Sequence, residues 1–143
     1  MAEKATIEID APLEAVAAII FDVESYPTWS TTIKKVESVN KDGAGRVNGA
    51  TITFDSGVMK DRVTLDYDSS AYPKKISFSL NDADLLTKMD GTFELSSLDS
   101  DSTSVTYYLD TAVSMPVPQM MISKVEKQTI NLALSQLKEH IEG

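Results

Sequence analysis

Apolar residues recur at every second position along most of the chain, and at every third or fourth position near its end. The opening segment MAEKATIEID places Ala5, Ile7 and Ile9 on one face and Thr6, Glu8 and Asp10 on the other, which predicts a strand. Pro12 suits a first helical turn, with Asp10 or Ala11 ahead of it and Glu14 near the positive end of the helix dipole. Leu13, Val16, Ala17, Ile19, Ile20 and Phe21 then follow at helical spacing. Pro27 stops regular structure, and YPTWSTT reads as a second short helix or a turn.

From Ile33 to Val113 the period is that of strands. The clearest case sets Met59, Asp61, Val63, Leu65 and Tyr67 on one face against Lys60, Arg62, Thr64 and Asp66. Ile76, Phe78 and Leu80 form a second face, Met89, Phe93 and Leu95 a third, and Val105, Tyr107, Leu109, Thr111 and Val113 a fourth. The connections KDGAG, DSG, YPKK and SLDSDSTS carry the Gly, Asp, Ser and Pro that short turns need. Strands joined in this way predict an antiparallel meander with one wet face.

Pro116 and Pro118 cannot join a ladder and end the last strand. A long helix is predicted from Gln119 to Ile141. Ile130, Ala133, Leu134, Leu137 and Ile141 form its apolar stripe, opposite Lys127, Asn131, Lys138 and Glu142. Met121, Val125 and Leu132 lie off that stripe and should meet something apolar of their own. A curved sheet wrapped on one helix cannot fill its middle with ordinary side chains, so this order of elements predicts a cavity.

Composition narrows the functions open to such a scaffold. At 143 residues the chain fits one domain, 1–143, with a core large enough to hold a pocket. Thirteen basic against 22 acidic residues give a net charge of −9, which disfavours nucleic acid and stable membrane docking as partners. With no cysteine and only His140, there is no thiolate chemistry and no multi-histidine metal cluster to expect. The N-terminal segment lacks the apolar core of a signal peptide, and the run AVAAIIF is far short of the roughly 20 residues of a spanning helix. A cytoplasmic protein is expected. No nucleophile elbow, phosphate-cradling loop or metal-ligand spacing is present, and neither a metal nor a cofactor is expected.

The segment IEIDAPLEAVAAIIFDVESYPTW, with Asp22, Tyr26, Pro27 and Trp29, resembles the start of the START-like (SRPBCC) superfamily in its polyketide cyclase/dehydrase-like branch. The ending, from MDGTFELSSLDSDSTSVTYYLDTAVSMPVPQMM through LKEHIEG, resembles that family as well. The resemblance implies an α+β helix-grip fold, a curved antiparallel sheet of about seven strands around a long C-terminal helix. It implies a tunnel between sheet and helix that holds a lipid, quinone, polyketide or other small hydrophobic ligand. Binding or carrying such a ligand is the leading expectation. The alternatives are a polyketide cyclase or dehydratase acting in the same cavity and a protein-interaction module.

The predicted ligand-binding set is Trp29, Phe54, Met59, Asp61, Phe78, Met89, Phe93, Tyr107, Met120, Met121 and Val125. Trp29 is expected either near an opening or as a packing plug, while Tyr26 reads as structural. Methionines 59, 89, 115, 120 and 121 suit an adaptable apolar site, and Met120 and Met121 are the candidate gate. Asp61 shares a face with Val63 and Leu65, yet a bulge after Gly57 would turn it outward, and the solvated orientation is favoured. If inward, Asp61 and Tyr107 would orient a ligand, or do acid-base work in an enzyme. His140 reads as a favourable charge at the helix C-terminus.

Overall fold

The computed structural model describes residues 3–57 and 59–143, so Met1 and Ala2 of the opening segment lie outside the described residues. Alternation yields strands where it was expected. β1 (Glu3–Ile9) precedes α1 (Leu13–Ile20) and a 3₁₀ helix (Val23–Thr28). β2 (Ile33–Lys41), β3 (Val47–Asp55), β4 (Lys60–Asp68), β5 (Lys75–Ala83), β6 (Leu86–Asp99) and β7 (Ser102–Val113) follow, and α2 spans Gln119–Glu142. Pro12 stands just ahead of α1, its carbonyl accepting from the Ala15 and Val16 N–H groups. The 3₁₀ helix begins three residues before Tyr26 and ends before Trp29, earlier than the sequence suggests.

All seven strands form one antiparallel sheet in the order β1-β7-β6-β5-β4-β3-β2. From β2 to β7 each strand pairs with the next in sequence. β1 instead crosses to β7, with Ile9 opposite Thr103 and Glu3 opposite Leu109. A register shift between Leu86 and Lys88 puts Leu86 and Met89, three residues apart, on the core side of β6.

α2 lies across the concave face of this sheet. Ile130, Leu134 and Leu137 are buried as the stripe predicts, and Ala133 and Ile141 pack beside them. Leu132 departs from expectation: it is 41% exposed on the outer side of the helix. Polar contacts fix α2 against β1, because Lys138 Nζ donates to the Glu8 carbonyl at 2.7 Å and Glu142 accepts the Asp10 N–H at 2.8 Å.

One cross-strand pair sets the width of the space beneath the helix. Gly91 of β6 lies opposite Phe78 of β5, and the Phe78 ring lies where a side chain at Gly91 would be. Gly91→Ala would make that added methyl overlap the ring tip, forcing the ring away. We expect a loss of about 1–3 kcal/mol in chemical denaturation, together with weaker uptake of an apolar probe. Unchanged stability and uptake would show that the ring has free room elsewhere.

Candidate functional site

The concave face of the sheet and the inner side of α2 do not close on each other. Between them lies a cavity of about 330 Å³, within the range of small-molecule sites. Ile52, Val63, Leu65, Leu86 and Leu109 supply much of the sheet wall, and Ile122, Thr129 and Ala133 line the helix side. Val113, Met115 and Val117 border it where β7 turns into α2.

Nine of the eleven predicted residues line this cavity: Trp29, Phe54, Met59, Phe78, Met89, Phe93, Tyr107, Met121 and Val125. Phe93 and Tyr107 stack with ring centroids 4.2 Å apart, and Tyr67 tilts against Phe78 at 5.6 Å. Trp29 is only 8% exposed and packs edge-on against Tyr26, so it belongs to the wall rather than the rim. Met121 is half exposed and Met115 similarly so, which places an apolar border where the chain enters α2.

Met120 is a correction. It is 83% exposed and does not line the cavity. One residue along a helix turns a side chain by about 100°, so Met121 takes the inward direction and Met120 the outward one.

Asp61 is a second correction, on both counts. The favoured solvated orientation does not occur, since Asp61 is 4% exposed, and it does not line the cavity either. Its carboxylate accepts the N–H groups of Arg62 at 2.8 Å, Asp84 at 3.1 Å, Leu85 at 3.0 Å and Leu86 at 2.9 Å. Asp61 thus holds the β5–β6 connection in place, with its acceptor capacity used on backbone.

Three tyrosines lie near one another in the lining of the cavity. Tyr26, Tyr67 and Tyr107 all line it, and burial pushes the hydroxyl pKa of each up, with their mutual proximity adding to the effect on Tyr26 and Tyr67. They stay protonated at neutral pH and offer hydroxyls, never phenolates. The Tyr26 hydroxyl is already committed as a donor to the Ile20 carbonyl.

The residue that sequence reasoning missed is Glu126. It sits on α2 in the cavity wall and is 1% exposed. Its Oε2 accepts both the backbone N–H of Thr111 at 2.6 Å and the Thr111 hydroxyl at 2.8 Å. Its Oε1 is buried without a hydrogen-bond partner among the described residues, and so is the Trp29 Nε1–H. Burial pushes the Glu126 carboxyl pKa up, against the opposing pull of the Thr111 bonds. The signal lay in the helical period: Glu126 falls four residues before Ile130, as a carboxylate on the apolar stripe. Thr111 is four residues beyond Tyr107 on the same strand and on the same face of it.

Among the described residues, no group of three or more His, Asp or Glu side chains is arranged to hold a metal ion. No helix among them is long and apolar enough to cross a membrane.

A seven-stranded antiparallel sheet gripping a C-terminal helix around an apolar cavity defines a helix-grip protein of the START-like class. The family model described as polyketide cyclase / dehydrase and lipid transport matches residues 9–138, and the chain belongs to that family. Among solved structures it is similar to a START superfamily protein from Mycobacterium smegmatis, at 26% identity and a TM-score of 0.90 over 99% of this chain and 97% of that one. It is similar in fold to the Zhui aromatase/cyclase from Streptomyces sp. R1128, at 17% identity and a TM-score of 0.81 over 99% and 93% of the two chains. TTHA0849 from Thermus thermophilus gives 19% identity and a TM-score of 0.84 over 99% and 97%. No functionally curated protein matches the chain in sequence.

Proposed function

We propose that this protein binds and carries a small hydrophobic ligand in the cavity between the sheet and α2, as a cytoplasmic carrier. The observation that carries this reading is the lining itself: aliphatic, aromatic and methionine side chains from six strands and α2 face one space. Affinity in such a site comes from apolar burial, at about 25 cal/mol per Å², with a few polar groups fixing orientation. The half-exposed Met115 and Met121 give an adaptable border through which a ligand can pass.

A cyclase-type enzyme is the rival reading, favoured by the fold shared with the Zhui aromatase/cyclase and by one titratable group, Glu126, in the wall. Against it stand the tyrosines, which remain protonated and so offer no base, and Asp61, whose oxygens are engaged elsewhere. Native mass spectrometry of gently purified protein tests the carrier reading, and a retained apolar molecule, unaltered after extraction, is the expected result. Recovery of a chemically converted product from a supplied polyketide-like precursor would favour the enzyme instead.

The cavity also sets a mutational expectation. Val125→Lys would bring a charge to the lining with no partner, and desolvating it opposes ligand entry. Fluorescence titration with N-phenyl-1-naphthylamine should show affinity lowered about tenfold or more, with circular dichroism unchanged. Equal affinity in the variant and the parent would mean that the probe binds elsewhere.

A further inference from the structure

We propose that Glu126 is the polar anchor of this cavity and that it selects apolar ligands bearing a hydroxyl group. The proposal rests on the carrier reading and adds the chemical class of the ligand.

The geometry of the carboxyl group carries the argument. Thr111 presents two donors, its N–H and its hydroxyl, and both are met by the single oxygen Oε2. Holding α2 to β7 therefore uses one oxygen. The other, Oε1, is buried, without a partner among the described residues, on a side chain that lines the cavity. An unmet buried carboxylate oxygen is costly, so a group that served packing alone would be better replaced by an apolar one. Lys88 does not relieve it, since its Nζ bonds to Asp110 at 2.7 Å on the β6–β7 ladder, and the positive charge of the N-terminus draws the carboxyl pKa down only as a minor pull against burial. The arrangement becomes favourable when a ligand brings a donor to Oε1.

A hydroxyl suits that position better than an ammonium. Burying an ammonium costs several kcal/mol, and a single carboxylate oxygen in a cavity walled by Phe, Met and Tyr would have to offset it. A hydroxyl donates to the ionised carboxylate. It also accepts from the protonated acid, whose proton must sit on Oε1 because both acceptor positions of Oε2 are taken. Burial pushes this carboxyl upward, and an apolar ligand excluding solvent pushes in the same direction, so a partner able to serve both states keeps its bond throughout. The Trp29 Nε1–H, in the lining of the same cavity and without a partner among the described residues, offers a donor to a second oxygen of such a molecule.

Competition against bound N-phenyl-1-naphthylamine tests this, using 2-naphthol and 2-methoxynaphthalene, which differ in whether their oxygen can donate. Wild type should prefer 2-naphthol over its methyl ether by about tenfold or more, as for a hydrogen bond to a charged group. Glu126→Leu should erase that preference. Glu126→Gln keeps an oxygen for Thr111 and turns an amide N–H₂ toward the cavity, so the preference should shrink or reverse in favour of the ether. That reversal would not arise if Glu126 acted only on the fold, and Glu126→Gln supplies the answer should Glu126→Leu fail to fold. Equal losses for both probes, or an unchanged preference, overturn the proposal and leave the carrier reading standing. Failure of wild type to bind N-phenyl-1-naphthylamine at all overturns both.

Discussion

Leu137→Ala is expected to lower stability by about 2–5 kcal/mol, as for buried leucine truncations in general, measured by urea denaturation. Leu137 is fully buried on the inner side of α2, beside Ile130 and Leu134. Whether a truncated site can collapse determines where in that range the cost falls. Here the helix backbone is held one residue away, through the Lys138 bond to the Glu8 carbonyl, and again at Glu142. Neither wall can move far inward, so the void stays open and the loss belongs in the upper half. Leu132→Ala is the internal control, because its side chain is largely on the outer face, and a change within about 0.5 kcal/mol is expected. Equal effects at the two positions would mean that α2 docks by a different face.

Asp61→Ala should cost about 2–4 kcal/mol by freeing the β5–β6 connection. Four backbone N–H groups converge on this carboxylate. The N–H of Asp84, at an exposed residue, can turn to water, but those of the half-buried Leu85 and buried Leu86 cannot do so freely. Each buried donor left unmet costs about 1–3 kcal/mol. Urea denaturation gives the stability change. Amide hydrogen exchange should show protection lost first between residues 83 and 86. A change below about 1 kcal/mol would show that the connection finds other acceptors.

These two positions also mark how far the sequence could be read. The alternation of β4 put Asp61 on the same face as Val63 and Leu65, and the buried outcome follows that alternation. Most of its partners could not be foreseen, because three of the four donors lie more than twenty residues away and converge only once β4 and β5 pair. The stripe of α2 was legible from Ile130 onward, where the pattern is regular. Toward its start the pattern blurs, because the helix there borders a cavity instead of a packed core. A period of 3.6 cannot tell Met120 from Met121 without the angle at which Pro116 and Pro118 deliver the chain. Glu126 was visible as a polar break in the stripe, but its meaning depends on Thr111, on another element. Alternation, turns and helical stripes are local and survive in the sequence. Convergence of groups from distant strands is not local.

The pairing of β1 has a consequence for how the protein is made. Every strand from β2 to β7 meets its neighbour through a short connection, so that meander can zip up hairpin by hairpin. β1 is synthesised before the meander, yet its partner residues, Thr103 through Leu109, emerge nearly a hundred residues later. At about 5–20 residues per second, that delay lasts several seconds, during which Ile7 and Ile9 have no sheet to join. Closing so long a loop adds little to the equilibrium cost, since each doubling of length adds only about 0.6 kcal/mol, but such non-local pairing slows folding. The docking of α2 waits on the same event, because Lys138 and Glu142 seize β1 and its exit. β1 thus leaves the ribosome well before the strand that fastens it, and the chamber it helps to close depends on that late pairing.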